Sequence, residues 1–474
     1  MDYDFVIVGA GIVGLSTAYS LVNKYPKSNI IVIEKEETFS KHQSGNNSNV
    51  IHSGIYYKPG SSKALNCKKG YDLLLKFLKK YNVPHDICGK LIVATSDDEI
   101  NELMILLEKG KKNGLKGLKI LEPDQIKKYE PYVNGLKAIH VPQAGITDYK
   151  LVSKKIYELL NENGVKFSFN TKVTNIINKT DSNTIVTTSS VEIKGKYVIN
   201  VAGLYSDKLA KINFKIDYKI IPFRGEYYNL KPSASYLVKN LIYPVPNPDF
   251  PFLGVHFTRR INNSIESGPN AVFAFSREGY KMSIINLKEL FESISYIGFL
   301  KLIKLYWKEG INEMYRSFSK QAYLRSLQKL IPEITGATLV LPVPFLFVSP
   351  RSSFVSPLSL FFDILIHPIC SSAIKLSLVV INCPILSREA FCTSVSEFHQ
   401  SSKFLRPLIT LEYRFALLVM SVNSTHDVNA ADAAVTATTS ATNLYLANAL
   451  AATLRNTTRT FKIDLARLYF GIRP

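Results

Sequence analysis

The fold of this chain is decided by residues 5–14, which read Phe5-Val6-Ile7-Val8-Gly9-Ala10-Gly11-Ile12-Val13-Gly14. The apolar residues predict a buried strand, the glycines predict a tight turn, and the apolar run from Leu15 to Leu21 predicts a helix. In such a turn Gly9 permits the sharp bend, Gly11 lets the backbone approach a pyrophosphate, and Gly14 allows close packing of helix on strand. The N-terminus of the helix then faces the bound anion.

A second strand supplies the acid that such a site uses. Residues 30–33 are continuously apolar and end at Glu34, 20 residues after Gly14. A carboxylate at this spacing accepts hydrogen bonds from the ribose of an adenine dinucleotide, and we assign Lys35 beside it to the same site. Strand, turn, helix and acid together predict an α/β dinucleotide-binding fold. The alternative is a glycine-rich turn that serves only strand–helix packing.

Small and amide side chains are dense in the segment 42–49. They suit a chain that lies against a flat polar cofactor, whereas a surface loop is the alternative. The apolar residues that follow, at 50–51 and 55–57, favour burial, and buried amides need hydrogen-bond partners. The cofactor-binding candidates of this segment are Gln43, Ser44, Ser48 and Asn49.

Further segments carry a family resemblance. They are Cys88-Gly89-Lys90-Leu91-Ile92-Val93-Ala94, Gly145-Ile146-Thr147-Asp148-Tyr149, Val201-Ala202-Gly203-Leu204-Tyr205-Ser206-Asp207, Ile221-Pro222-Phe223-Arg224-Gly225-Glu226-Tyr227, Tyr243-Pro244-Val245-Pro246, Phe250-Pro251-Phe252-Leu253-Gly254-Val255-His256-Phe257-Thr258 and Gly268-Pro269-Asn270-Ala271. With residues 42–59 they resemble the L-2-hydroxyglutarate dehydrogenase/oxidase family, FAD enzymes of the D-amino-acid-oxidase-like superfamily. The resemblance runs from Asp4 to about Thr335 and favours this family over its glycine-oxidase and glycerol-3-phosphate-dehydrogenase relatives.

The resemblance implies FAD as the cofactor and two domains that are interleaved along the chain. An FAD-binding, Rossmann-like α/β domain is expected in residues 1–80 and 145–215. An α+β substrate domain is expected in residues 81–144 and 216–337.

The resemblance also assigns cofactor contacts in the second half of the FAD-binding domain. Val173 lies in a segment similar to the strand whose backbone meets the adenine. Ala202 and Gly203 are similar to the turn that closes over the dinucleotide.

The implied reaction oxidises the C2 alcohol of L-2-hydroxyglutarate, with a hydride passing to the flavin and a proton to a base. His52 and His256 lie inside the resembling segments, so each is a candidate for the base or for substrate hydrogen bonding, with ordinary packing as the alternative. Arg224, in a region poor in arginine, is a candidate to bind a substrate carboxylate or to fix its own turn. Tyr56 and Tyr57 are candidates to line the substrate pocket or to pack in the core. No metal site is predicted.

The composition changes near residue 337. Residues 1–337 hold 41 Lys and 6 Arg, whereas residues 338–474 hold 3 Lys and 8 Arg. The family's arginine-bearing segment and its terminal strand, turn and helix at the flavin are not recognisable after Thr335. We interpret residues 338–474 as an aberrant stretch that does not complete the preceding fold, with a separate tail domain as the alternative.

The sequence therefore leaves two main functional hypotheses and a third that is a variant of the first. One is an FAD-dependent oxidoreductase that acts on L-2-hydroxyglutarate, and the other is an FAD-binding chain whose catalysis is impaired by its C-terminus. A related amino-acid or glycine oxidase-like flavoenzyme is the third. The electron acceptor and the oligomeric state stay open.

The net charge of +20 is spread over scattered lysines, which favours a solvated surface and no nucleic-acid partner. Residues 283–312 interleave apolar residues with lysines and predict amphipathic helices. A helix packed on its own domain is the commoner meaning of that pattern, and peripheral membrane association is the alternative. Because no targeting segment precedes the first strand, we expect a cytoplasmic or membrane-peripheral location, or a mitochondrial one in a eukaryote.

Overall fold

The structure is a computed structural model that describes residues 2–178, 183–187, 192–247 and 254–348, with side chains as far as residue 340. The helices of this part are α1 (Ile12–Lys24), α2 (Ser62–Lys80), α3 (Asp97–Lys112), α4 (Pro123–Tyr129), α5 (Tyr149–Glu162), α6 (Ser206–Ala210), α7 (Leu287–Ile294), α8 (Ile297–Phe318) and α9 (Lys320–Gln328). The first strands are β1 (Asp2–Val8), β2 (Ile30–Ile33), β3 (Val50–Ile51), β4 (His85–Asp86), β5 (Lys90–Ala94), β6 (Lys119–Leu121), β7 (Lys137–Val141), β8 (Gly145–Thr147) and β9 (Lys166–Ser168). The remaining strands are β10 (Val173–Asn178), β11 (Asn183–Thr187), β12 (Glu192–Asn200), β13 (Pro222–Leu230), β14 (Leu241–Pro244), β15 (His256–Arg259), β16 (Ile265–Phe273) and β17 (Leu339–Val348).

A six-stranded sheet holds the glycine turn. Its order is β10-β11-β12-β1-β2-β9, and β1 runs parallel to both β2 and β12. Side chains of β1 alternate between two cores: Val6 and Val8 pack on one face, and Ile7 packs on the other against α1, α2 and α5. All residues of β2 are buried, because both faces of the sheet are covered.

The second large sheet has eight strands. Its order is β17-β13-β16-β15-β14-β5-β7-β6, and all its strand pairs are antiparallel except that of β14 with β5. One core on this sheet contains Ile242, Phe257 and residues of α9 such as Tyr323. Strands β3, β8 and β4 form a small third sheet.

The α/β fold predicted from the glycine turn is confirmed. The predicted strand at 30–33 coincides with β2, while β1 and α1 are each longer than predicted. The two large sheets draw their strands from alternating parts of the chain, and the division into an FAD-binding domain and a substrate domain stays a prediction.

One predicted boundary falls short of the observed fold. The substrate domain was expected to end at residue 337, but β17 continues the eight-stranded sheet by pairing antiparallel with β13. The rest of the predicted aberrant stretch, residues 349–474, lies outside the described residues.

Candidate active site

The glycine turn lies where β1, β2 and β12 end together. Gly9 has a φ of +115°, and a Cβ atom on it would lie 2.5 Å from the carbonyl oxygen of Val201. A Cβ atom on Gly14 would overlap the carbonyl oxygen of Gly9. The backbone packing of the turn therefore requires glycine at both positions.

Gly11 leaves the start of α1 open. It is the N-cap residue, and no side chain caps the helix from that position. A Cβ atom there would come within 3.2 Å of Ser44 Oγ, which accepts a hydrogen bond from the backbone N–H of Ile12 at 2.9 Å. Gly11 thus adds no side chain beside Ser44 at the positive end of the helix, which suits the approach of a pyrophosphate.

Glu34 connects the second strand to the glycine turn. Its Oε2 accepts a hydrogen bond from the backbone N–H of Ala10 at 2.7 Å, and its Oε1 accepts one from that of Glu36 at 3.0 Å. The carboxylate therefore lies at the carboxyl end of β2, which is the position from which an acid reaches ribose hydroxyls.

The amides of the segment 42–49 find partners within the protein. Asn47 Oδ1 accepts a hydrogen bond from the backbone N–H of Asn49 at 2.8 Å, and the Asn49 carbonyl accepts one from the last residue of β8. Asn49 is buried with a φ of +59°, and Gln43 and Ser48 are half-buried. The segment is folded onto the protein, as the burial argument expects, and its contacts with FAD stay a prediction.

The turn after β12 leaves space at the same edge of the sheet. The backbone N–H of Ala202 donates to Asn200 Oδ1 at 3.2 Å, and Gly203 is exposed with a φ of +53°. A Cβ atom on Gly203 would meet no atom within 4 Å. Val173 is half-buried at the start of β10. The glycine at the start of α1, the acid and this open turn together fit a dinucleotide such as FAD.

A second group of side chains, which we call the histidine–lysine cluster, consists of His52, Tyr56, Lys90, Tyr243 and His256. Lys90 Nζ lies 3.4 Å from Tyr56 Oη and 4.5 Å from the ring centroids of Tyr56 and Tyr243. Tyr243 stacks on the imidazole of His256, with ring centroids 3.8 Å apart. The fold thus brings both predicted histidines to one lysine.

Burial keeps both imidazoles neutral. The pKa of His52 is lowered to about 3 by burial, then by the charge of Lys90 and by His256. The pKa of His256 is lowered to about 3 by burial, with a contribution from Lys90 and an opposing one from its backbone hydrogen bond.

The tautomer of His256 follows from one contact. Its Nδ1 lies 3.0 Å from the carbonyl oxygen of Gly254, and a carbonyl can only accept a hydrogen bond. Nδ1 therefore carries the proton, which leaves Nε2 as the acceptor nitrogen. A neutral imidazole in this form can take a proton from a hydroxyl group.

Arg224 is engaged within the protein. Its Nε and Nη2 donate to Glu226 Oε1 at 3.1 and 2.9 Å, and its Nη1 donates to the carbonyl oxygen of Gly279 at 3.3 Å. The side chain is 2% exposed. This geometry favours the structural role that the sequence left open for Arg224, because its donors already have acceptors.

Lys35 also has partners of its own. Its Nζ donates to Glu278 at 2.7 Å, forms an ion pair with Glu36, and lies 3.0 Å from His42 Nε2. Although burial lowers the pKa of Lys35, the two carboxylates raise it overall. Glu36, His42 and Glu278 converge closely enough to ligate a metal, but the ammonium of Lys35 already compensates these carboxylates. The assignment of Lys35 to FAD stays a prediction.

Of the two predicted pocket tyrosines, Tyr56 belongs to the histidine–lysine cluster, and Tyr57 is half-buried with its carbonyl bonded to Asn113. Sequence reasoning missed Lys90 and Tyr243, although both stand in segments that carry the resemblance. The available signal was a lysine that directly precedes the apolar run 91–94, and such a lysine is ordinarily a solvated strand end.

Comparison with known proteins fixes the family. A family model described as FAD dependent oxidoreductase, DAO, matches residues 4–335, more than half of the chain. The chain belongs to this family. FAD is therefore its cofactor, and its class of activity is that of an oxidoreductase.

Curated relatives share much of the sequence. The L-2-hydroxyglutarate dehydrogenase of Indibacter alkaliphilus is 50% identical over 342 residues, which cover 72% of this chain and 86% of the relative. The mitochondrial L-2-hydroxyglutarate dehydrogenase of Homo sapiens is 44% identical over 346 residues, which cover 70% of this chain and 75% of the relative.

Solved structures support the fold at lower identity. The L-alpha-glycerophosphate oxidase from Mycoplasma pneumoniae with FAD bound has a TM-score of 0.62 at 21% identity, covering 77% of this chain and 93% of that one. Glycine oxidase from Geobacillus kaustophilus has a TM-score of 0.57 at 13% identity, covering 73% and 83%. At these identities the likeness concerns the fold alone.

Proposed function

We propose that this chain oxidises L-2-hydroxyglutarate to 2-oxoglutarate with FAD. The observation that carries the proposal is the 50% identity, over 72% of the chain, to a bacterial L-2-hydroxyglutarate dehydrogenase. His52 follows the segment 42–49, which contacts α1, directly along the chain, and His256 on β15 joins it in the histidine–lysine cluster, so two neutral proton-accepting groups are available there.

The proposed roles follow from the chemistry of alcohol oxidation. The C2 hydrogen leaves with its electron pair, the hydroxyl proton goes to a base, and a C=O bond forms. Bound FAD supplies the acceptor for the hydride. We assign the proton to Nε2 of His256, because the Gly254 carbonyl fixes the proton of the other ring nitrogen. His52 is assigned a hydrogen bond to the substrate.

An anaerobic titration tests the function. We expect L-2-hydroxyglutarate to bleach the flavin absorbance of the purified full chain, with the D enantiomer as the matched control that leaves it unchanged. Bleaching by glycine or sarcosine instead would point to an amine oxidase. A chain that carries FAD but stays oxidised with every one of these compounds would be the catalytically impaired protein, a function that the relatives do not favour over the active enzyme.

A second proposal concerns location: α7 and α8 bind an anionic membrane surface. Exposed apolar side chains cover what we call the α7–α8 face, and Leu287 and Phe291 are 77% and 68% exposed. The further members of this face are Ile294, Ile297, Leu300, Ile303, Leu305, Trp307, Ile311, Tyr315 and Phe318. Exposed large apolar side chains in such number on two consecutive helices indicate an interaction site.

Charge identifies the proposed partner of the α7–α8 face as anionic. Lys301, Lys304 and Lys308 are exposed on α8, whereas two acids of these helices, Glu289 and Glu313, are engaged inward. Glu289 accepts hydrogen bonds from Ser276 and the backbone of residue 277, and Glu313 is buried against β16. Exposed lysines beside apolar and indole side chains suit the headgroup region of an anionic bilayer. No helix among the described residues is long and apolar enough to cross a bilayer.

Vesicle sedimentation of the full chain tests this proposal. We expect binding to phosphatidylcholine vesicles that contain phosphatidylserine, weakening with salt, and no binding to phosphatidylcholine alone. Phe291→Glu and Trp307→Glu should abolish binding, whereas Leu65→Glu, at an exposed residue of α2, should not. Failure of the wild type to bind anionic vesicles would overturn the proposal. Concentration-dependent dimerisation that the same two variants abolish would instead make the face a contact between copies.

A further inference from the structure

Lys90 stands apart from the other buried cations that the structure describes. Buried Arg224 pairs with Glu226, and buried Arg277 pairs with Asp207 at 2.6 and 2.7 Å. Lys90 is 1% exposed, yet within the described residues no carboxylate forms an ion pair with it. A buried charge without a counter-ion is costly, and proteins normally compensate it.

Among the residues that the structure describes, the titratable groups around Lys90 are neutral. The titratable groups that face it are His52 after β3, Tyr56 on the following loop, Cys67 on α2, Tyr243 on β14 and His256 on β15. Burial raises the pKa of Cys67 to about 11, so its thiol stays neutral. The tyrosine faces and one hydroxyl stabilise the ammonium only in part. The cluster therefore lacks an anion.

We propose that Lys90 binds the C1 carboxylate of the substrate, and so positions the C2 hydroxyl at His256. The inference rests on the proposed oxidation of L-2-hydroxyglutarate, and it adds the residue that recognises the α-hydroxy acid. C1 and C2 are directly bonded, so a cation and a base within one cluster can engage the carboxylate and the hydroxyl together. The more distant C5 carboxylate does not meet this condition.

A consequence for proton transfer follows. The charge of Lys90 lowers the pKa of both His52 and His256. A carboxylate bound at Nζ offsets that charge, so the imidazoles become more basic when the substrate arrives. Lys90 is thus a positioning residue whose charge also affects the proposed base.

The pH dependence of binding has a definite sign. Burial lowers the pKa of Lys90 to about 7 in the free protein. The carboxylate binds the protonated amine, so kcat/KM should fall as the pH rises above about 7. Lys90→Arg keeps its charge and should move this alkaline limb to higher pH, whereas Lys90→Gln should lack the limb.

Binding of 2-oxoglutarate to the oxidised, FAD-loaded chain, followed by calorimetry, tests the proposal without turnover. We expect Lys90→Gln to raise the Kd by roughly 10- to 100-fold, as for a lost charge-assisted hydrogen bond, with partial recovery in Lys90→Arg. The matched control is Lys119→Gln, at an exposed lysine of β6 in the same sheet. In stopped-flow reduction, the C1 amide of L-2-hydroxyglutarate should bind the wild type poorly, whereas Lys90→Gln should not distinguish amide from acid.

Stability separates a binding role from a structural one. Lys90→Met removes an uncompensated buried charge and should raise the unfolding temperature by a few degrees while it weakens 2-oxoglutarate binding. An unchanged Kd in Lys90→Gln, with a wild type that L-2-hydroxyglutarate reduces, would overturn the role of Lys90 alone. A wild type that neither binds 2-oxoglutarate nor is reduced would overturn the proposed function, and the role of Lys90 with it.

Discussion

Gly14→Ala tests whether the glycine turn is required by its packing, and Gly310→Ala is its matched control. Both glycines lie within helices, Gly14 in α1 and Gly310 in α8. An added Cβ atom at position 14 would overlap the carbonyl oxygen of Gly9 and lie 3.2 Å from Val201 Cγ2, whereas one at position 310 would meet nothing within 4 Å. The two substitutions therefore share one helix-propensity effect and differ in their steric effect.

The expected magnitudes follow from these two effects. Replacing glycine by alanine within a helix stabilises it by about 1 kcal/mol, so Gly310→Ala should raise the free energy of unfolding by about that amount. Steric overlap in a packed interior costs about 1–3 kcal/mol, and the upper end applies at Gly14 because a backbone carbonyl cannot rotate away. Gly14→Ala should therefore lower the free energy of unfolding by about 2 kcal/mol net. The turn must also shift, so bound FAD should be lost.

Urea unfolding, followed by circular dichroism, gives the stability of each variant, and flavin absorbance relative to protein absorbance gives its FAD occupancy. Gly310→Ala should retain its flavin. If Gly14→Ala matched Gly310→Ala in both stability and FAD occupancy, the overlap with Gly9 would be relieved without moving the turn. The packing argument would then be wrong.

Three further outcomes concern buried charge. Asp207→Asn should lower the free energy of unfolding by about 3–5 kcal/mol, because it leaves Arg277 buried without its paired carboxylate. The control Glu108→Gln, in an exposed pair with Lys111, should change the free energy of unfolding by less than about 1 kcal/mol. Equal losses of stability in the two variants, measured by thermal unfolding, would contradict this. The pKa of His52 and His256 falls to about 3 in the folded state from 6.5, so their contribution to stability is present above pH 6.5 and is lost as the pH falls towards 3. His256→Gln should flatten the dependence of stability on pH in acid titrations followed by fluorescence. The pKa of Lys90 falls from 10.5 in the unfolded chain to about 7 in the folded one, so the stability of the wild type should rise between pH 7 and 10.5 relative to that of Lys90→Met. Parallel curves of stability against pH for the two proteins would contradict that shift.

The cofactor half of the site was predictable because its determinants are local. The strand, the glycines, the helix start and Glu34 lie within the first 34 residues, and their spacing alone specifies how they meet. The structure adds contacts that spacing cannot give, such as Ser44 Oγ at the start of α1, which depends on the path of the chain after β2.

The histidine–lysine cluster was predictable only in part, because strand register decides it. His52 and His256 stood in resembling segments, but Lys90 and Tyr243 come to His256 only when β5 pairs with β14 and β14 with β15. Nothing near Lys90 in the sequence indicates that its neighbours in space are two tyrosine faces. Long-range pairing of this kind has no short-range signature.

Arg224 shows the opposite case, in which a local signal was present. Arg224 and Glu226 are separated by one residue, and residues at positions i and i+2 of a strand share one face. Their ion pair on β13 could therefore have been expected once the segment was read as a strand. The scarcity of arginine in this region drew attention to Arg224 and suggested that its guanidinium binds a substrate carboxylate. In the structure, the carboxylate that it binds is that of Glu226.

The two halves of the site also differ in how they handle charge before a substrate binds. At the FAD half, Lys35 already has carboxylate partners. In the histidine–lysine cluster, Lys90 lacks such a partner among the described residues, and its charge makes the nearby imidazoles poorer bases. Since an incoming carboxylate would reverse both effects at once, the proposed α-hydroxy acid would complete the electrostatics of the cluster as well as fill it. A neutral alcohol of the same shape would leave Lys90 unpaired and the imidazoles weakly basic, and this gives the cluster a physical basis for selecting acids over alcohols.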